Sequence, residues 1–190
     1  YQPVGNLEGR VFRDVHWVVR DPSSLDRVYA PTGMGVYRTQ DAGGHWMRLE
    51  YGMERGYAVP MAIHRDQPNR LFLGAAHNGP TAWAGPKAAR TGPFTASRWS
   101  RDMFPQTGGA HAEVLRSDDY GDTWRKLGNG LPAANPYMIT GVDMNPADAN
   151  MVFVSYTDGS VYASDDAGDS WREIASGLNR VFGVRAVTAS

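Results

Sequence analysis

The stretch Tyr162-Ala163-Ser164-Asp165-Asp166-Ala167-Gly168-Asp169-Ser170-Trp171 decides the fold, because the chain writes it twice more. The other copies are Leu115-Arg116-Ser117-Asp118-Asp119-Tyr120-Gly121-Asp122-Thr123-Trp124 and Tyr37-Arg38-Thr39-Gln40-Asp41-Ala42-Gly43-Gly44-His45-Trp46. All three obey Ser/Thr-x-Asp-x-Gly-x-x-Trp, and His45 stands where the later copies have Thr or Ser. The carboxylates of Asp41, Asp119 and Asp166 suit a turn in which an Asp side chain accepts nearby backbone N–H groups. Gly43, Gly121 and Gly168 allow a backbone conformation that a Cβ would penalise. Trp46, Trp124 and Trp171 then enter the next strand and offer a large apolar face to a neighbouring unit, with an indole N–H in want of an acceptor. A carboxylate repeated three times in one setting reads as structural rather than catalytic.

The flanks repeat too. Upstream of each copy stands an extended run, a Pro-containing turn and a second run. These are Val15 to Val19, Asp21-Pro22 and Val28 to Ala30; Val59 to Ile63, Asp66-Gln67-Pro68 and Leu71 to Leu73; and Ile139 to Met144, Asn145-Pro146 and Val152 to Val154. A short strand is expected after each Trp, over Leu49 to Gly52, Leu127 to Gly130 and Ile174 to Gly177. Four strands per unit make a propeller blade. Asp119 and Asp166 lie 47 residues apart, within the ~40–50 of propeller repeats. Asp41 and Asp119 lie 78 apart, so the middle unit carries an insertion. The fold expected is all-β: three four-stranded blades over 11–56, 57–131 and 132–178, with an insertion at 77–113 and a closing inner strand at 181–188.

The composition fits that architecture and narrows the function. Glycine supplies 22 of 190 residues, against a usual ~7%, as frequent turns require. A net charge of −1 argues against a nucleic-acid footprint. No apolar run reaches the ~18 residues of a membrane span, so a soluble protein is expected. With no cysteine, disulfides, thiolate nucleophiles and Cys-ligated zinc are all excluded.

With these turns at blade spacing, the whole chain resembles the Asp-box, or bacterial neuraminidase repeat, propellers. That superfamily includes sialidases, xyloglucanases, sortilin-type receptors and photosystem II assembly factors. The resemblance implies a fold and no single activity, since the box occurs in enzymes and non-enzymes alike. It also implies that substrate sites lie on the face opposite the boxes, where the loops joining strands two and three emerge.

The insertion belongs to that face, and a connection of this length is usually functional or disordered. Trp83, Phe94, Trp99 and Phe104 offer apolar and stacking surface, while Lys87, Arg90, Arg98 and Arg101 add positive charge. Trp83 and Trp99 either pin the insertion to the propeller or stack on a ligand. His77, Asp102, His111 and Glu113 are its titratable candidates, and His77, His111 and Glu113 at its ends are conceivable metal ligands. His16, equivalent to Pro60 and Thr140 in the other inner strands, is a candidate for the channel lining. No metal-specific spacing exists, and no cofactor is expected.

The families' chemistries make further demands. A sialidase would need an arginine triad, a Tyr–Glu nucleophile pair and an acid/base Asp. Val11-Phe12-Arg13-Asp14 shares only Phe-Arg with the sialidase Phe-Arg-Ile-Pro motif, which leaves Arg13 as a lone triad candidate. A xyloglucanase-like reaction would need two carboxylates across a cleft, for which the insertion offers Asp102 and Glu113. The expectation is therefore a non-catalytic binding or scaffolding propeller that presents a protein or carbohydrate ligand to the insertion face. The alternative is a sialidase-clan glycoside hydrolase with catalytic residues elsewhere. Three blades do not close a ring, so the remainder of the propeller is the expected partner, as an N-terminal portion of the same protein or another chain.

Overall fold

Twelve strands form three meanders in this computed structural model, which describes residues 14–77, 79, 109–133, 135–179 and 181–187. The first blade is β1 (Val19–Arg20), β2 (Val28–Thr32), β3 (Gly35–Thr39) and β4 (Met47–Leu49). The second is β5 (Tyr57–Ile63), β6 (Leu71–Ala76), β7 (Glu113–Ser117) and β8 (Arg125–Lys126). The third is β9 (Ile139–Met144), β10 (Val152–Tyr156), β11 (Val161–Ser164) and β12 (Arg172–Ala175). Each sheet is antiparallel with its strands in chain order.

Side-chain alternation divides the apolar residues between two interfaces. Leu71, Leu73, Leu115 and Trp124 of the second blade join Tyr29, Val36 and Leu49 of the first. Phe72, Val114 and Leu127 join Ile139, Val154, Tyr162 and Trp171 of the third. Because β6 is covered on both faces, Leu71–Ala76 reads as an unbroken apolar run with no polar alternation.

The repeated turns are built alike. The Asp Oδ1 accepts the N–H four residues on, from His45 at 2.8 Å, Thr123 at 2.9 Å and Ser170 at 2.8 Å. The hydroxyl of Thr39, Ser117 or Ser164 donates to that carboxylate and accepts the glycine N–H. The second carboxylate oxygen takes the Thr123 and Ser170 hydroxyls, each at 2.6 Å. In the first blade the His45 ring nitrogen takes that place, also at 2.6 Å, so the divergent residue does the same job. The Ser170 hydroxyl, then its N–H and the Ser164 hydroxyl, hold the Asp166 carboxyl at about 2. The N–H after each Asp reaches the turn between its own blade's first two strands, at Asp26, Asn69 or Asn150. The two sets of turns thus share one face.

Two devices couple each blade to the next. Arg38 donates to the Tyr120 carbonyl at 2.8 Å and pairs with Asp122 at 2.9 Å. Arg116 repeats this on the Ala167 carbonyl at 2.7 Å and Asp169 at 2.9 Å. The backbone N–H of Trp124 meets the Tyr51 carbonyl at 2.9 Å, and that of Trp171 meets the Asn129 carbonyl at 2.8 Å. Both tryptophans are buried, and the Trp171 indole donates to the Gly168 carbonyl at 3.0 Å. Trp46 is only half-buried.

Three expectations need correction. The outer strands start immediately after each Trp, earlier than Leu49, Leu127 and Ile174, because the Trp backbone docks on the preceding blade and the next residues begin the ladder. The first inner strand is Val19–Arg20, while Val15 makes a single bridge to Thr32. The closing inner strand expected at 181–188 has no ladder over its described residues 181–187. That segment runs along β9, where Ala186 N–H donates to Asp143 at 2.9 Å and Val184 N abuts Gly141. Among the described residues no further strand lies beside it to pair with.

A buried histidine makes the turn face acid-sensitive. His64 is buried, and its Nδ1 accepts the N–H groups of Asp66 at 3.3 Å and Gln67 at 3.1 Å. Burial holds its pKa below the ordinary 6.5. Below ~6.5 the unfolded chain therefore takes up a proton that the fold refuses. This contribution is complete above that pH and is lost as pH falls toward the lower folded value. Urea midpoints should fall between pH 7.5 and 5.5, and His64→Asn should flatten that dependence; an unchanged slope would contradict this role.

Candidate functional site

The ends of the insertion meet at the edge of the middle blade. His77, just after β6, donates its N–H to the Ala110 carbonyl at 3.0 Å. The returning segment is stitched to the third blade by Ala110 N–H to Pro136 at 2.6 Å and Ala112 N–H to Asn135 at 2.9 Å. Gly109 has φ +112 and lies against Pro136, so a side chain there would be strained and crowded.

Arg55, in the connection between β4 and β5, gathers this base together. Its Nη1 donates to His77 Nε2 at 3.2 Å, its Nε to the His111 carbonyl at 3.2 Å, and its Nη2 pairs with Glu113 at 3.2 Å. Lys126 Nζ reaches the same Glu113 oxygen at 2.5 Å. The Glu113 side chain is 4% exposed. It is a buried carboxylate enclosed by two cations, where an opposite charge is what makes burial tolerable. Burial, then Arg55 and His111, push the His77 imidazole below its ordinary value. With Nε2 accepting from Arg55, His77 is a neutral acceptor here. The conceivable metal set of His77, His111 and Glu113 is thus replaced by an ion-paired anchor. Among the described residues no three His, Asp or Glu are grouped to hold a metal.

His16 joins the first blade to the second. Its Nδ1 meets the Ala58 carbonyl at 2.5 Å, its ring lies 4.6 Å from that of Tyr57, and Nε2 stands 3.1 Å from Asp14. Burial, then Asp14, push the Tyr57 phenol up. A phenol so held stays protonated and makes a poor nucleophile. His16 has the contacts of an interblade spacer. Pro60 sits where β5 slips register, a position that needs no ladder N–H.

His16, His77, His111 and Glu113 therefore share one face, and the carboxylates Asp41, Asp119 and Asp166 lie on the other. Trp83, Trp99, Arg101 and Asp102 lie outside the described residues, as does Arg13. Arg55 escaped sequence reasoning, because a lone arginine between blades carries no motif.

Solved structures decide what the three sheets are. An ancestral GH74 enzyme superposes on 92% of the chain with TM-score 0.62 at 18% identity. The fold is a β-propeller. The GH74 xyloglucanase from Xanthomonas campestris matches 89% of this propeller chain with TM-score 0.56 at 18% identity. YCF48 bound to D1 peptide matches 88% with TM-score 0.53 at 11% identity. The chain spans 20%, 24% and 41% of those three chains respectively. At such identities the likeness shows the fold alone, and both glycoside hydrolases and a peptide-bound protein share it. No known family and no curated protein matches the chain. Among the described residues no helix is long and apolar enough to cross a membrane.

Proposed function

We propose that this is a non-catalytic binding propeller of the Asp-box, sialidase-like superfamily, and that the face carrying the insertion takes a peptide segment of a protein partner. The observation that carries this reading is the environment of Glu113. One of the two insertion carboxylates available for acid/base chemistry is buried between Arg55 and Lys126 and spent on fixing the insertion's base. A glycosidase carboxylate must instead face its substrate. The turn carboxylates are saturated by their own turns, as Asp-box membership requires, and Tyr57 is held protonated. The sequence left for a ligand is the insertion itself, which carries Trp83 and Trp99 with Lys87, Arg90, Arg98 and Arg101. Aromatic and arginine side chains are the groups most enriched at the centres of protein interfaces. The peptide-bound YCF48 neighbour supports a protein partner.

The test separates binding from turnover in the complete protein. Because His77 and Ala110 are hydrogen-bonded to each other, residues 78–108 can be replaced by a short glycine linker without parting the strands they join. A peptide array should give saturable binding that this deletion abolishes while the melting temperature is kept. Xyloglucan and sialyllactose should not be turned over. Hydrolysis of either, lost on Asp102→Asn, would overturn the reading.

A further inference from the structure

The third blade ends in a seat already built for a tryptophan. At the two internal interfaces the turn after the outer strand has one form. Leu49 and Leu127, each 3% exposed, pack against the next blade, and the carbonyls of Tyr51 and Asn129 accept the next Trp backbone N–H. Gly52 and Gly130, at φ +83 and +93, lie so close that a Cβ would run into the Trp124 or Trp171 carbonyl. Counted from its Trp, the third blade repeats the positions as Ile174, Ser176 and Gly177, with a register shift at Ile174 that the first blade lacks. Gly177 keeps a left-handed φ of +67, yet nothing lies within 4 Å of a Cβ placed there. Ile174 is 44% exposed where its counterparts are buried.

We propose that Ile174, Ser176 and Gly177 seat the Trp turn of a following blade, and that polypeptide of the same protein outside residues 1–190 supplies that turn. The inference rests on reading the chain as part of a larger ring, and it identifies the contact that continues the ring. The segment standing in that blade's innermost position is already present, though it has no ladder of its own. Residues 181–187 lie along β9, as β9 itself packs against β5, with Val184 and Ala186 half-buried and Val187 77% exposed. The occupant is therefore a three-stranded remainder carrying an Asp-Gly-Trp turn. It joins a segment tethered in this chain, which favours one polypeptide through effective concentration. A second copy does not fit, because its first blade would bring its own inner strand to the place that 181–187 fills. The interblade arginine adds a prediction about the contact. Ala163 stands where Arg38 and Arg116 stand in the other blades, so the seat engages its partner through the Trp backbone and apolar packing without that clamp.

The test is photo-cross-linking in the complete protein, with a benzophenone amino acid at position 174 and, as the internal reference, at position 127. Mass spectrometry of the reference should find conjugates around Trp171. Position 174 should give comparable yield to a Trp-containing turn outside residues 1–190. Conjugates to the turn around Trp46 would show a second copy and overturn the proposal, and so would absence of conjugates at 174 alongside a working reference. Gly177→Ala gives a second readout. In a filled seat it should lower the melting temperature about as far as Gly130→Ala does; a drop no larger than a lone left-handed alanine causes would mean an empty seat. Neither readout depends on the insertion binding a peptide, so the two readings fail separately.

Discussion

Trp171→Ala in the complete protein is expected to lower unfolding stability by ~3–5 kcal/mol, the range for truncating a buried aromatic side chain. Trp171 is 7% exposed and packs among residues that include Phe72, Leu127, Ile139 and Tyr162 across the interface between the second and third blades. Its removal opens a cavity between two sheets whose spacing is fixed on one side by Arg116 and on the other by β9, so little collapse can fill it. Trp46→Ala should cost clearly less, since Trp46 is half-buried. Equal losses for the two variants in urea unfolding would contradict the interface described here.

Gly130→Ala should destabilise by a similar amount for a different reason. The glycine has φ +93, and a methyl group there would meet the Trp171 carbonyl oxygen. Overpacking costs ~1–3 kcal/mol, and an unfavourable left-handed backbone adds ~1–2 kcal/mol. The neighbouring Gly128 has open space around it. Gly128→Ala is therefore the control, expected within ~0.5 kcal/mol of the parent as surface changes usually are. A Gly130→Ala variant as stable as this control would show that the turn does not carry the next tryptophan.

Much of this was legible in the sequence, and what escaped has identifiable causes. Asp119, Gly121 and Trp124 announced their turn because each residue type has one local job, which side-chain chemistry and backbone sterics dictate. The divergent His45 gave no such signal, yet its ring nitrogen replaces a hydroxyl at the same distance. The interblade clamp was written in two offset columns. Arginine precedes Thr39 and Ser117, and an aspartate stands three residues after Asp119 and Asp166, so each Arg finds its acid one repeat later. Reading across repeats, not along one, would have found it. The outer strands were placed late because the apolar residues Leu49 and Leu127 sit at or just beyond the ladder and serve the interface, while Ile174 falls at a register shift within its strand. Glu113 drew attention as a titratable candidate, but its role is set by Arg55 from 58 residues upstream. Only the fold brings those two together.

The central claim is that these residues are one sector of a larger ring. Val18 at 65%, Ile174 at 44%, Leu178 at 48% and Val187 at 77% exposed lie toward its two ends. Covering apolar surface is worth ~25 cal/mol per Å², so an uncovered blade face of several hundred Å² forfeits on the order of ten kcal/mol, as much as a domain's whole net stability. Sedimentation of the isolated 190-residue chain, together with calorimetry, tests this most directly. The account predicts association or the absence of a cooperative unfolding transition. A monodisperse 20.8 kDa monomer that unfolds in one sharp transition would contradict it.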